Sequence, residues 1–296
     1  MGKSAISFAL AREIPAEIIS ADSRQFFCGL DIGTDKVPRW MREQVPHHLI
    51  DFLQPGEPFD VYEFFQRVLF LVGEILSRKK YPIIVGGSGL YLRCLLQGIF
   101  HLPEEKKEHL SQLRRQLESF STEEMWQKLR EVDPVACTKI HPHDRFRLRR
   151  ALEVYLLTGQ PLSYLQRENL RPVLGDLGEV TYFILNRPRA WLYQQLDQRV
   201  EKMLQIGWLE EVARLKIAGH ENFLREKAPI GYAELLDVLR GKLTVREAVR
   251  LIKQKTKQLV RRQLSWFRQE PGCWLEVFPG EEAKVVLLMK NALGEK

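Results

Sequence analysis

The sequence predicts an α/β protein: a parallel sheet flanked by helices and interrupted by a mostly helical segment. Three observations point there. Residues 17–20 (EIIS) and 82–85 (PIIV) are short, apolar strand signals of the kind found in parallel sheets buried on both faces. Helix-prone runs surround them, giving the order helix, strand, helix, strand, helix. Gly2-Lys3-Ser4 opens the first of these runs, residues 5–11, and is the second half of the phosphate-binding pattern G-x-x-x-x-G-K-[ST].

The elements follow in order. A helix beginning at Lys3 would present unpaired backbone N–H groups and the positive end of its dipole to an anion. The plainer alternative is an ordinary N-terminal helix with a lysine near its start. After the strand at 17–20 comes a helix over residues 60–80. Asp60 and Glu63 form a capping box, and Val61, Phe64, Phe65, Val68, Val72, Ile75 and Leu76 share one face. Gly86-Gly87-Ser88-Gly89 follows the strand at 82–85, and residues 90–96 resume as helix. Ligands of parallel sheets bind beyond the carboxyl ends of the strands, and Asp22 and Ser88 each lie just past one.

From 104 to 166 the pattern is polar and helical with no convincing strand. Residues 181–185 (TYFIL) return as strand, and helices follow from 189. This predicts a core of residues 1–105 and 167–296 with a helical insertion at 106–166. A further helix starts at Thr244, with Glu247 completing a second capping box. At ~100° per residue, Arg246, Arg250, Lys253, Lys257, Arg261 and Arg268 form one basic stripe beside an apolar face. Such a stripe fits a track for phosphates; the alternative is a merely soluble surface. A second cluster, Arg145, Arg147, Arg149 and Arg150, lies within 143–155. Its arginines either meet an anion or pair with Glu153, Asp144 or more remote carboxylates.

The chain has 296 residues, enough for one large domain or two modest ones. At 45% hydrophobic and 28% charged residues its composition is that of a soluble globular protein. No apolar run approaches the ~18 residues of a membrane span, and no signal peptide is visible. The four cysteines, Cys28, Cys94, Cys137 and Cys273, form no C-x-x-C pair, which argues for a reducing, cytoplasmic setting. The net charge of +7 is modest, so its distribution matters more than its total.

Several ordered motifs then converge. Ile18-Ile19-Ser20-Ala21-Asp22-Ser23-Arg24-Gln25, after the phosphate-loop remnant, resembles the tRNA dimethylallyltransferases, also called tRNA isopentenyltransferases. Leu30-Asp31-Ile32-Gly33-Thr34-Asp35-Lys36 is similar to that family's L-D-I-G-T-x-K. Val45-Pro46-His47-His48-Leu49-Ile50-Asp51 is similar to V-P-H-H-L-I-D. Residues 85–91 resemble V-G-G-T-G-L-Y with Ser88 for Thr. Residues 150–155 match R-A-L-E-V-Y, residues 230–232 match I-G-Y, and residues 263–268 (QLSWFR) resemble Q-x-T-W-F-R. The resemblance spans nearly the whole chain and lacks the extra zinc finger of eukaryotic relatives.

The resemblance implies a P-loop-like fold and transfer of a dimethylallyl group from its diphosphate to the N6 amine of the adenosine 3′ to the anticodon. The tRNAs would be those reading codons that start with U. It implies Mg²⁺, with the tRNA anticodon stem-loop and dimethylallyl diphosphate as partners; a monomer and no membrane are also expected. Gly2, Lys3 and Ser4 would bind diphosphate, with the Ser4 hydroxyl on Mg²⁺. Asp22 would be general base or hydrogen-bond acceptor at the amine, with Ser88 close to the reacting centre. Asp22, Ser23, Arg24 and Gln25 would contact RNA. So would Arg147 and Arg150, from the family's Q-R-x-x-R. Phe146 stands for its Gln and offers a ring for stacking. Arg149, Lys253, Lys257 and Arg261 complete the expected tRNA-binding set.

His47 and His48 are expected to bond locally. His141 and His143 have the wrong company for zinc. Trp266 and Phe267 are expected in the core. The half phosphate loop predicts that ~10–15 further residues precede Met1 in the functional protein. Two other functions stay open at this point: a P-loop kinase of a nucleotide or small metabolite, and a non-catalytic RNA-binding protein.

Overall fold

A computed structural model of the chain describes residues 2–102 and 109–294. Met1 and the expected boundary at 105/106 lie outside the described residues. The fold divides into two compact units: Met1–Arg93 with Leu177–Lys296, and Cys94–Asp176. The second is wider on both sides than the expected 106–166.

In the first unit, α1 (Lys3–Glu13) leads into β1 (Ala16–Ala21), whose six residues are all buried. Then come α2 (Arg39–Gln44), the two-residue β2 (His47–His48), α3 (Val61–Ser77), β3 (Tyr81–Gly86) and the first part of α4 (Gly89–Gln97). The sheet order is β2-β1-β3, all parallel, with Ile18 opposite His47 on one side and Ile83 on the other. The predicted capping box of α3 is present: the Asp60 carboxylate accepts from the Tyr62 and Glu63 amides, and Glu63 accepts from the Asp60 amide. Of the predicted apolar face, Phe64, Phe65, Val68, Val72 and Ile75 are buried. Each such burial is worth about 1.5–3 kcal/mol. The helix stops short of residue 80 because Lys79 takes a left-handed φ of 56°.

The second unit is helical: α5 (Leu110–Glu118), α6 (Thr122–Val132), the short α7 (Pro134–Cys137), α8 (Arg145–Thr158), α9 (Leu162–Asn169) and most of α10 (Val173–Leu177). Its core gathers Leu117, Met125, Leu129, Leu148, Ala151 and Leu152. Asp133 ties the unit together. Its buried carboxylate accepts from the Ala136 amide and from both the amide and hydroxyl of Ser163.

The first unit resumes with β4 (Phe183–Asn186), α11 (Arg189–Gln205), α12 (Trp208–Ile217), α13 (Glu221–Glu226), α14 (Tyr232–Leu239), α15 (Val245–Phe267), β5 (Cys273–Glu276) and α16 (Glu282–Ala292). Strand β4 pairs in parallel with β5, Phe183 opposite Cys273. Ile83, Val85, Phe183 and Leu185 pack on one cluster with Ile6, Leu10 and Ile18. The capping box of α15 at Thr244 and Glu247 forms as predicted.

Glu17 sits at the start of β1, away from the carboxyl ends of the strands. Its side chain, 5% exposed, is met by His48 at 2.7 Å, Arg78 at 2.9 Å and Lys80 at 3.0 Å. Burial alone would raise its pKa, but hydrogen bonds from Arg78, His48 and Lys80 outweigh it and hold the carboxyl at about 2. His48 is thereby engaged in the structural base of the sheet. His47 bonds the Val45 carbonyl, and burial lowers its pKa.

Candidate active site

The carboxyl ends of β1 and β3 bring the expected residues together. Asp22 follows β1 and folds the chain into a tight turn. Its Oδ1 accepts from the Arg24 amide at 3.0 Å, and its carbonyl accepts from the Gln25 amide. Ser88 follows β3, and its hydroxyl accepts from the Ser23 amide at 3.5 Å, so the two turns touch.

Lys3 reaches the same place from α1. A Cβ on Gly87 would lie 3.6 Å from Lys3 Nζ and 2.8 Å from Gln263 Nε2, so glycine lets the ends of both side chains come close. Burial lowers the Lys3 pKa. Attraction to Asp22 offsets part of that, Arg199 adds to the lowering, and Asp35 opposes it. A lysine held this way is stabilised in its charged form when an anion arrives. Gly2 caps α1 in a left-handed conformation, with no side-chain cap and no acid in the first turn. Ser4 is exposed one residue into the helix. The first-turn amides therefore face the site without an internal anion.

Gln25 behaves differently from its neighbours. It is 7% exposed, donates to the Asp35 carbonyl at 3.3 Å and accepts from the Ser20 hydroxyl. It braces the turn from inside, whereas Arg24 is exposed.

Four further residues build this site and were not singled out from the sequence. Gln263 donates to the Gly87 carbonyl at 2.9 Å, and its place in Q-L-S-W-F-R was a signal. Arg199 on α11 pairs with Asp35 at 3.2 Å. Lys36 is buried between Asp31 and Asp51 and donates to the Phe27 carbonyl, tying the L-D-I-G-T-D-K and H-H-L-I-D segments together. Glu211 on α12, 2% exposed, accepts from three consecutive amides, Asp31, Ile32 and Gly33, and from the Tyr232 hydroxyl. No sequence pattern marked Arg199 or Glu211, whose partners in the segment 31–35 are more than 160 residues away. Trp266 packs against Gly89, under the Arg93 guanidinium at 4.1 Å from the ring centre.

The other expected residues belong to other elements. Phe146, Arg147, Arg149 and Arg150 stand on α8 of the helical unit. Phe146 is 71% exposed, and Arg147 pairs with Asp144 at 3.4 Å. Three residues of the α15 stripe are engaged by α11: Lys253 meets Glu201 at 2.6 Å, Lys257 meets Asp197 at 2.7 Å, and Arg261 donates to the Tyr193 hydroxyl at 3.2 Å. These three form an interhelical zipper with α11. Among the described residues, no three His, Cys, Asp or Glu gather to hold a metal ion, and no helix is long and apolar enough to cross a membrane.

A family model described as IPP transferase matches residues 25–270. A tRNA dimethylallyltransferase 1 from Citrifermentans bemidjiense is 42% identical over 287 residues, covering 96% of this chain and 91% of the relative. The crystal structure of tRNA delta(2)-isopentenylpyrophosphate transferase from Staphylococcus epidermidis is 32% identical with a TM-score of 0.68. The match covers 99% of this chain and 95% of that one. A eukaryotic dimethylallyltransferase acting on tRNA superposes with a TM-score of 0.79 at 25% identity, covering 100% of this chain and 77% of that one.

Proposed function

Because this chain belongs to the IPP transferase family, we propose that it transfers a dimethylallyl group from dimethylallyl diphosphate to the N6 amine of the adenosine 3′ to the anticodon, in tRNAs reading codons that start with U. The observation that carries this reading is the meeting of a cation and a carboxylate at the strand ends. Lys3 approaches Gly87 beside the Asp22 and Ser88 turns.

The exocyclic amine of adenine is a weak nucleophile, because its lone pair is delocalised into the ring. The allylic diphosphate is a strong electrophile once its leaving charge is neutralised. Lys3 and the first-turn amides of α1 would take that charge, with Arg199 as a second cation near Lys3. As the bond from the allylic carbon to the diphosphate oxygen breaks, the amine nitrogen bonds to that carbon. The amine proton then passes to the Asp22 carboxylate or is held by it. Ser88 would line the reacting centre.

The donor set suits Mg²⁺. The exposed Ser4 hydroxyl offers one oxygen, and this ion takes one or two protein ligands beside phosphate oxygens and water. When bound, it neutralises the leaving diphosphate.

An adenine in a loop must leave its stack to be alkylated, at a cost of a few kcal/mol. Ser23 and Arg24 would meet RNA at the turn, with Gln25 bracing them. On the helical unit, Arg147, Arg149 and Arg150 would meet the RNA backbone, and Phe146 offers an exposed ring for a base. The zipper partners of Lys253, Lys257 and Arg261 leave these three a smaller share of RNA binding. The free cysteines fit work in a reducing cytoplasm.

The test is an alkylation assay on an anticodon stem-loop RNA with dimethylallyl diphosphate and Mg²⁺, read by mass spectrometry. A mass gain on that adenosine is expected. ATP consumption without RNA, and no mass gain, would overturn the reading in favour of a small-molecule kinase.

A further inference from the structure

Glu153 on α8 has no part in the chemistry above, and at 1% exposure it is a buried carboxylate. Three guanidinium groups surround it. Arg114 Nε donates to Oε1 at 3.0 Å, Arg149 Nε lies 3.4 Å from the same oxygen, and Arg150 donates to Oε2 at 3.4 Å. Arg114 comes from α5 and the other two from α8, so one carboxylate gathers cations from two helices.

Among the described residues, charge is not balanced there. The other acid in reach among them, the exposed Glu118, lies 3.6 Å from Arg149. Three positive charges against two negative leave an excess. Arg145 adds to it, because its guanidinium donates to the Phe120 and Glu118 carbonyls rather than to a carboxylate.

The side chains of Arg114, Arg149 and Arg150 are 47%, 26% and 36% exposed, so each is tied to Glu153 yet keeps part of its surface open to solvent. A free arginine pays heavily in rotamer entropy when it binds a phosphate. One already ordered by a buried partner pays less. Guanidinium also suits phosphate, because its fork of donors matches the oxygens.

We infer that Glu153 is a positioning residue: it sets Arg114, Arg149 and Arg150 into a fixed fan that takes phosphodiester groups of the RNA backbone. The inference rests on the reading that RNA is the substrate. It adds Arg114 to the contact set and gives the buried acid a role. Phe146 extends the face, its ring 5.8 Å from the Arg149 guanidinium.

The sign of one substitution separates this role from its rivals. Glu153→Gln makes the protein more positive. If only net charge mattered, RNA would bind more tightly. If Glu153 only braced the core, the melting temperature would fall while the folded protein bound RNA as before. Positioning requires weaker binding in spite of the added positive charge.

The experiment measures binding of an anticodon stem-loop RNA by the full chain and by Glu153→Gln across a salt series, beside thermal melts. Binding on the order of tenfold weaker near 0.1 M salt is expected, with a shallower salt slope and an unchanged KM for dimethylallyl diphosphate. Arg114→Gln added to Glu153→Gln is expected to cost less than Arg114→Gln alone. Equal or tighter binding by folded Glu153→Gln would overturn the inference. If that variant does not fold, Arg114→Gln decides: several-fold weaker RNA binding supports the fan, and unchanged binding overturns it. A wild-type chain that binds RNA without alkylating it would defeat the proposed reaction and leave the fan standing. A wild type that alkylates while Glu153→Gln binds normally would do the reverse.

Discussion

The strand-end site and the arginine face of α8 hold charge in opposite ways. At the strand ends, backbone turns and glycines do the holding. Asp22 caps its own turn, Ser88 takes an amide from Ser23, and Gly87 lets Lys3 and Gln263 approach. On α8, side chains hold side chains, and one buried acid organises three arginines. Turn-built sites are stiff and short in sequence, so substitutions there should strike chemistry. Ion-pair sites are assembled from distant segments, so substitutions there should strike affinity and salt response.

The sharpest test of that contrast is Asp22→Ala. It is expected to lower kcat by about 10²–10⁴-fold while RNA affinity is nearly retained, measured by single-turnover alkylation beside direct RNA binding. Loss of affinity without loss of rate would break the comparison.

The acid base of the sheet gives the next effect. Glu17 has a folded pKa of about 2 against an ordinary 4.5. Its stabilising effect is therefore present above pH 4.5 and lost as pH falls toward 2. The linkage is worth about 3 kcal/mol. Acid titration of the wild type and Glu17→Gln, followed by circular dichroism, should show the variant less stable at neutral pH and the two converging at low pH.

Gly89→Ala comes third. Its Cβ would lie 2.3 Å from Trp266 Nε1, so the indole must shift under Arg93. A loss of about 1–3 kcal/mol is expected, read as a lower melting temperature. Smallest is Lys257→Gln. Its partner Asp197 is 32% exposed, so stability should change by less than about 1 kcal/mol. RNA affinity should move by less than about threefold, because that charge is already spent on α11. A larger loss would return α15 to the role of a phosphate track.

The same contrast explains what the sequence disclosed. Strands at 17–20 and 82–85 appear as Ala16–Ala21 and Tyr81–Gly86, because short runs centred on paired isoleucines between turns have few other uses. Both capping boxes appear because they are local, their partners three positions apart. The strand expected at 181–185 begins later, at Phe183, where pairing with β5 sets its start. Strand β5 itself, Cys-Trp-Leu-Glu, is too short to show alternation, and β2 is a two-residue pairing. The basic stripe on α15 was visible, but its partners on α11 lie 52–68 residues away. Nothing in the spacing of α15 could show that the stripe was already engaged. Likewise Glu153 was a possible partner for its helical neighbours, while Arg114, 39 residues earlier, was not legible as the third.

Glu211 closes a loop that belongs to no helix or strand. A carboxylate receiving four donors has no spare lone-pair direction. Opening the loop would strand that acid and three peptide groups together, so the segment should open only with the helices that carry Glu211 and Tyr232. In deuterated water, the amides of Asp31, Ile32 and Gly33 should exchange at the slow pace of core helices. The turn preceding them at Asp22 would thus inherit the rigidity of a distant helical layer.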